Sequence, residues 1–192
     1  MRPFTRLINV MHRALAPLLI AATLGAAYTD YASCKRKIDL IGSNGLRPGA
    51  RVELSIEELN AYVQHEAPPG VRDPRLRIRA NEVATGSAMV DFGKLRRAQG
   101  YRPGWLMSRL LDGERPVSVT ARIRSDAGRA TVDVQRVEIS GIQIDGKTLD
   151  FLIQNFLLAL YPNAAVGRPF ELGHNIRKLQ VEPRAVGVLI GR

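Results

Sequence analysis

The thiol and imidazole side chains, which serve as nucleophile, base or metal ligand, are few: one cysteine, Cys34, and three histidines, His12, His65 and His174. Nucleophilic catalysis needs a nucleophile, a base beside it and a group that orients the base. Metal chemistry needs several nitrogen, sulfur or carboxylate ligands at recognisable spacings. His12 lies in a basic, apolar N-terminal stretch. His65 ends a helical pattern, where a cationic or hydrogen-bonding residue suits the carbonyl end of the helix. His174 falls in a loop between two segments. A single cysteine excludes an intramolecular disulfide and a cysteine-based metal site. No HExxH, GxSxG, P-loop or Rossmann glycine pattern occurs.

The carboxylates around the middle of the chain are Asp133, Glu138, Asp145 and Asp150. Asp133 and Glu138 occupy polar positions of an alternating segment. Asp145 precedes an apolar helical segment as a cap. Asp150 lies in its first turn, where negative charge meets the positive end of the helix dipole. Structural roles account for each, so the expectation is a non-catalytic protein: no catalytic residues, no metal site, no cofactor. A hydrolase built on His174 is the enzymatic alternative, and full function after His174→Ala would remove it.

The elements that would carry any binding chemistry begin with a targeting pattern. Arg2, Arg6 and Arg13 precede Ala14–Tyr28, a stretch without charge. It is shorter than the ~20 residues of a full span. It suits a signal peptide's apolar region, with Gly25, Ala26 and Ala27 as small residues at its end. Three outcomes stay open: cleavage near Ala27 or Ala32, retention as an anchor helped by Leu7, Ile8, Val10 and Met11, or lipidation at Cys34 in Tyr-Ala-Ser-Cys. A cytosolic amphipathic helix is the remaining alternative. The formal net charge is +10. Arg2, Arg6, Arg13, Lys35, Arg36 and Lys37 against Asp30 put half of it before position 38. There it reads as topology or as contact with anionic lipid. The rest shows no basic cluster interleaved with aromatics, so nucleic acid is not an expected partner. With 45% hydrophobic and 24% charged residues, the chain has the composition of a folded domain. The expected organisation is 1–34 signal peptide or membrane anchor, 35–51 linker, and 52–192 a single α+β domain, exported to the periplasm or anchored on the extracytoplasmic side.

Within that domain Ser55-Ile56-Glu57-Glu58 opens a helix as a capping box, with Ile56, Leu59, Tyr62 and Val63 on one face. Leu76 and Ile78 alternate with Arg75, Arg77 and Arg79, a strand with one wet, basic face. Ala84, Gly86, Ala88, Val90 and Phe92 share a face of the next strand, after a turn at Ala80-Asn81-Glu82. A short helix is expected over Gly104–Leu111. Val117, Val119, Ala121 and Ile123 then alternate with polar residues, turn at Ser125-Asp126-Ala127-Gly128, and continue as Ala130, Val132 and Val134. The phase slips at Arg136-Val137, which predicts a β-bulge and a bent hairpin. A second main helix is expected over Thr148–Leu160, and a last hairpin over Ile176–Glu182 and Ala185–Ile190.

The Thr148–Leu160 helix is apolar nearly all round. Leu149, Leu152, Ile153, Phe156, Leu157 and Leu160 form a normal core face, and Phe151, Leu158 and Ala159 lie largely outside it. Such a helix is buried, or faces something other than water. Two readings follow: a sheet that encloses it fully, or a groove for an apolar ligand. Phe151, Phe156, Leu157, Leu160, Trp105, Leu110, Val119 and Val132 would line that groove, with Trp105, Leu106 and Met107 beside Tyr101 as its lip. The predicted fold is α+β: a curved antiparallel sheet of about six strands in three hairpins, wrapped around the apolar helix.

The order Leu-Ser-Ile-Glu-Glu-Leu-Asn-Ala-Tyr (54–62), Gly-Ser-Ala-Met-Val-Asp-Phe (86–92), Pro-Val-Ser-Val-Thr-Ala-Arg-Ile (116–123) and Val-Glu-Ile-Ser-Gly-Ile-Gln-Ile (137–144) resembles small bacterial envelope proteins of the LmeA and YpmS type. The resemblance covers about residues 52 to 192 and rests on segment order and residue flavour. It implies a TULIP-like architecture, a signal or anchor segment, and binding of phospholipid or another apolar ligand in the cell envelope. It transfers no catalytic residue. The alternative is an interaction module that binds an envelope protein through a sheet edge or the Arg75, Arg77, Arg79 face.

Overall fold

The computed structural model describes residues 28–97, 113–154 and 166–191. The expected Gly104–Leu111 helix lies outside these residues, as do the N-terminal 1–27 and the apolar helix beyond 154.

Helix α1 covers 28–42. Cys34, Ile38 and Ile41 recur at helical spacing, and this face is inward: Cys34 is 0% exposed. Residues 35–42, expected as linker, are therefore helix, and Arg51 already belongs to a strand. Lys35, Arg36, Lys37 and Asp39 interrupt the apolar face in the sequence. Gly42, Gly45 and Gly49 follow directly, so the segment imitates a linker.

Strand β1 (Arg51–Ser55) runs into α2 (Ile56–His65). The capping box forms. The Ser55 hydroxyl accepts from the Glu58 amide at 3.1 Å, and the Glu58 carboxylate accepts from the Ser55 amide at 2.8 Å. Strands β2 (Val71–Ala80) and β3 (Val83–Asp91) make the first hairpin, followed by α3 (Phe92–Arg97). Strands β4 (Glu114–Asp126) and β5 (Arg129–Ile139) make the long central hairpin. It turns on Ala127 and Gly128 with φ of 48° and 80°, two left-handed residues that match the twist of the strands. The bulge lies one residue from its expected place. Thr120 faces Arg136 and Ala121 faces Val134, leaving Gln135 extra. Strand β6 (Ile142–Ile144) pairs with β5, and α4 (Gly146–Leu152) follows. Strand β7 (Phe170–Glu171) pairs with the start of β5. Strands β8 (Ile176–Glu182) and β9 (Ala185–Ile190) make the last hairpin at its expected limits.

The three hairpins do not share one sheet. The first two, with β6 and β7, form a six-stranded antiparallel sheet in the order β2-β3-β4-β5-β6, with β7 beside β5. The last hairpin joins β1 in a separate three-stranded sheet, β1-β9-β8. The fold is thus α+β with two antiparallel sheets, and neither curls around a helix. The reason is the partner taken by β9: Arg51–Ser55 pairs along it from Leu189 to Ala185 and occupies its free edge.

Each sheet has its own core. In one, Cys34 and Ile41 of α1 pack on Leu54, Val188 and Ile190. In the other, Val90, Val137, Ile139 and Ile144 pack with Phe92 and Leu95 of α3 and Leu152 of α4. Helix α2 serves both, with Leu59 and Tyr62 turned to the first core and Val63 to the six-stranded sheet. At their far end the sheets meet through Ser125, whose hydroxyl donates to the Leu179 carbonyl at 2.8 Å and accepts from the Leu179 amide at 2.7 Å.

Candidate functional site

The register of the six-stranded sheet sorts its side chains onto two faces. Leu76 stands beside Gly86, Gly86 beside Val119, and Val119 beside Val137. This row and its neighbours form the apolar face. Two cavities open along it. One, of about 280 Å³, is lined by Val63, Leu76, Gly86, Val90, Val117 and Val119, among others. The other, of about 160 Å³, is lined by Phe92, Val134, Val137, Ile139, Leu149 and Leu152, again with Val117 and Val119. Those two valines belong to both walls, so the cavities adjoin along β4. A hollow of about 400 Å³ shares Arg75, Ser87, Ala88 and Val117 with the first but has a mixed lining with Asp73, Ser118 and Glu138, and one of about 560 Å³ lies apart beside Asn175 and Arg177.

Gly86 is the local reason for the larger cavity. A Cβ built there would meet only Leu76 Cδ2, at 3.7 Å, an ordinary contact. Glycine inside a strand weakens it and commonly marks a close approach to the backbone. Nothing in the backbone conformation at 86 demands it, since its φ is not positive.

Of the residues expected to line a groove, Val119 lines both cavities, and Phe151 packs against the core beneath them. Val132 is elsewhere, in a parallel bridge to Val166. Trp105, Leu110, Phe156, Leu157 and Leu160 lie outside the described residues. The expected list missed Val117, Val137, Leu149, Leu152 and Gly86. The alternation around Val117 and Val119 signalled the face, but not which part of it would be left unfilled.

The opposite face of this sheet is polar and basic. Arg75 and Arg77 on β2, Arg122 and Arg124 on β4, and Arg136 on β5 are exposed. Between them stand Ser87, Thr85, Ser118 and Thr120, with the two threonine hydroxyls 2.9 Å apart. Arg124 pairs with Asp133 at 2.6 Å, and Arg136 with Glu138 at 3.4 Å. Arg79, expected to extend the stripe, is the extra residue where Ile78 faces Ala84 and Ala80 faces Val83, so it leaves the two-residue alternation.

One outer edge of each sheet, β2 and β8, is met by a polar side chain. Asn60 of α2 reaches β2, where its amide donates to the Leu76 carbonyl at 3.0 Å and accepts from the Leu76 N–H at 2.8 Å. Pro74 removes a further donor from the same edge. Ser125 does the same for Leu179 on β8. An exposed edge is a template for another strand, and these contacts occupy the middle of it.

The remaining polar cluster is buried and structural. Glu58 is 6% exposed. Its carboxylate accepts from Lys37 Nζ at 2.7 and 2.8 Å, from Ser33 Oγ at 2.6 Å and from the Ser55 amide. Burial pushes this carboxyl up, but the bonds from Lys37, Ser33 and Ser55 outweigh it and hold it below its ordinary value. Lys37 also donates to the Glu53 carbonyl at 2.8 Å. The cluster fastens α1 to β1 and α2. Burial, with the Glu58 charge beside it, pushes the Cys34 thiol up to about 11, far from the reactive range. Lipidation at Cys34 would require this side chain to leave the core and α1 to start anew behind it.

Among the described residues, His65 has local partners and His174 an exposed position. His65 stacks on Tyr31 with ring centres 3.8 Å apart and lies 3.4 Å from Glu66. His174 is exposed in a turn with φ of 47°. Asp145 stands at the N-cap of α4, yet its side chain makes no capping bond there. Among the described residues no three His, Cys, Asp or Glu side chains converge as a metal site, and no helix is long and apolar enough to cross a membrane. Comparison with models of known families, with curated proteins and with solved structures returns no match to this chain.

Proposed function

We propose that this is a non-catalytic envelope protein that binds phospholipid or another apolar ligand against the apolar face of its six-stranded sheet. The observation that carries this reading is the pair of adjoining cavities, about 280 and 160 Å³, sharing Val117 and Val119 and walled almost wholly by aliphatic side chains. Burying an acyl chain contributes roughly 0.8 kcal/mol per methylene, so a trough of this kind needs little polar chemistry to hold one. Gly86 adds to the case, because a Cβ there would meet only an ordinary contact, so the missing side chain leaves space at the cavity wall. The basic, apolar N-terminus supports export to the periplasm or anchoring at the extracytoplasmic face. The likeness in segment order to LmeA and YpmS type proteins points the same way. Native mass spectrometry of the protein after mild extraction tests the reading: bound phospholipid is expected, and a folded protein that never carries or takes up lipid overturns it.

A second reading has its own observation. Arg75, Arg77 and Arg122 are exposed on one sheet face and form no ion pair among the described residues. Interleaved serines and threonines make that face suited to an acidic protein partner. Binding through a sheet edge is less favoured, since Asn60 and Ser125 occupy the edges of β2 and β8. Cross-linking pulldowns with Arg75, Arg77 and Arg122 changed to Gln discriminate: loss of one stable partner supports this reading, and an unchanged pattern removes it.

A further inference from the structure

On β4 the apolar face of the six-stranded sheet reads Arg115, Val117, Val119, Ala121 and Ile123. The register fixes the first of these on that face. Arg115 stands directly beside Val90, which is 9% exposed and lines the larger cavity. Val117, about 7 Å further along the same strand face, lines both cavities. Arg115 is therefore the charged residue at the end of an aliphatic row. Its neighbours Glu114 and Pro116 point to the other face. Glu114 is already engaged there by Arg72, with two bonds of 3.0 and 2.8 Å.

The Nε of Arg115 is closed off from solvent and has no hydrogen-bond partner among the described residues. A guanidinium stays charged at any physiological pH and presents its N–H donors in a fork that fits carboxylate or phosphate. Leaving such a donor buried and unanswered costs free energy, and native structures rarely do so without a reason. An aliphatic trough with such a cation beside Val90 of its wall, and with Arg75 at the rim of the larger cavity, has the form needed by an amphipath.

We infer that Arg115 holds the oxyanion headgroup, carboxylate or phosphate, of a lipid whose tail lies along Val117 and Val119. This rests on the lipid-binding reading above and names the ligand class within it. A purely apolar ligand would leave the Arg115 guanidinium without an anion, and a cationic one would be repelled.

The test compares ligands with one tail and two heads. The full chain, stripped of lipid in mild detergent, is offered palmitic acid against hexadecanol, and lysophosphatidic acid against monoacylglycerol, at neutral pH. Retention is read by native mass spectrometry and by competition with a fluorescent lipid. The expected result is a preference for the anionic member of at least one pair of about tenfold or more. Arg115→Met should bring that ratio near one while leaving hexadecanol or monoacylglycerol binding unchanged. Preference in the acid pair alone, or in the phosphate pair alone, identifies which oxyanion is taken. Should Arg115→Met fail to fold, Arg115→Gln reads the same ratio. Equal binding of both heads by the unaltered protein, or a preference that survives in both variants, overturns the headgroup assignment and leaves lipid binding standing. Failure to take up any of the four overturns both.

Discussion

Around α1 and the three-stranded sheet, Cys34, Ile41, Leu54, Val188 and Ile190 close on one another. On the six-stranded sheet, Val117 and Val119 instead line two cavities. Both regions use the same materials, alternating strands and a helix laid across them. They differ in how the helix is held. The first is fastened by a part-buried ion pair and its hydrogen bonds, Lys37 and Ser33 to Glu58, and the apolar face of its helix packs on the sheet beneath it. On the second, the contacts of α3 and α4 are mainly aliphatic, and a glycine stands at position 86 where a larger residue would fit. The first region is held by polar bonds across its core, whereas the second keeps unfilled space along an apolar wall, which is where the proposed ligand would lie.

The largest expected effect breaks the scaffold side. Ile190→Ala, in a side chain 3% exposed, should cost about 2–5 kcal/mol in urea unfolding, because the transfer term and the cavity term add. The same truncation at Val119, already beside a cavity, should cost clearly less. Equal costs would erase the distinction between the two cores.

Next comes the fastening itself. Lys37→Met leaves the Glu58 carboxylate buried without its cation, and should lower stability by about 1–3 kcal/mol, the partial exposure of Lys37 tempering the loss. The same bond has a pH signature. The Glu58 carboxyl is held below its ordinary 4.5 in the folded protein, so the folded state releases this proton more readily than the unfolded chain. Its contribution is fully present above pH 4.5 and is lost as pH falls through the lowered value. Unfolding midpoints of the parent should therefore drop below pH 4.5, and those of Glu58→Gln should drop less.

A smaller change concerns the sheet edge. Asn60→Ala frees the Leu76 N–H and carbonyl and should cost about 1–2 kcal/mol. It should also raise self-association in light scattering, as an uncovered edge recruits another strand. A monodisperse variant of unchanged stability would show that Asn60 seals nothing.

The smallest effect on stability falls at the trough and carries the largest effect on binding. Gly86→Val meets only an ordinary contact at its Cβ and favours the strand backbone. Stability should change by less than about 1 kcal/mol, in the upward direction. Lipid uptake measured by native mass spectrometry should fall sharply. Unimpaired uptake would place the ligand away from Gly86.

What the sequence determined by itself was local. Ser55 and Glu58 form the capping box because the partners sit three residues apart. The β8–β9 hairpin has its expected limits because alternation and a tight turn need no distant partner. The slip at Arg136 marked a bulge, found at Gln135, because an extra residue shifts the two-residue period wherever the strand pairs. What only the tertiary structure decided was which surfaces meet. Strand β1 pairs with β9 across more than a hundred residues, and no pattern within Arg51–Ser55 announces that partner; this one pairing separates the last hairpin from the other two. Helix α1 carries five charged residues among its fifteen, four of them within 35–39, and its Cys34, Ile38 and Ile41 face becomes core only where the three-stranded sheet meets it. The trough was legible as an apolar face and not as a space. A cavity is the volume that side chains from several distant segments leave between them, and spacing along one chain carries no record of it.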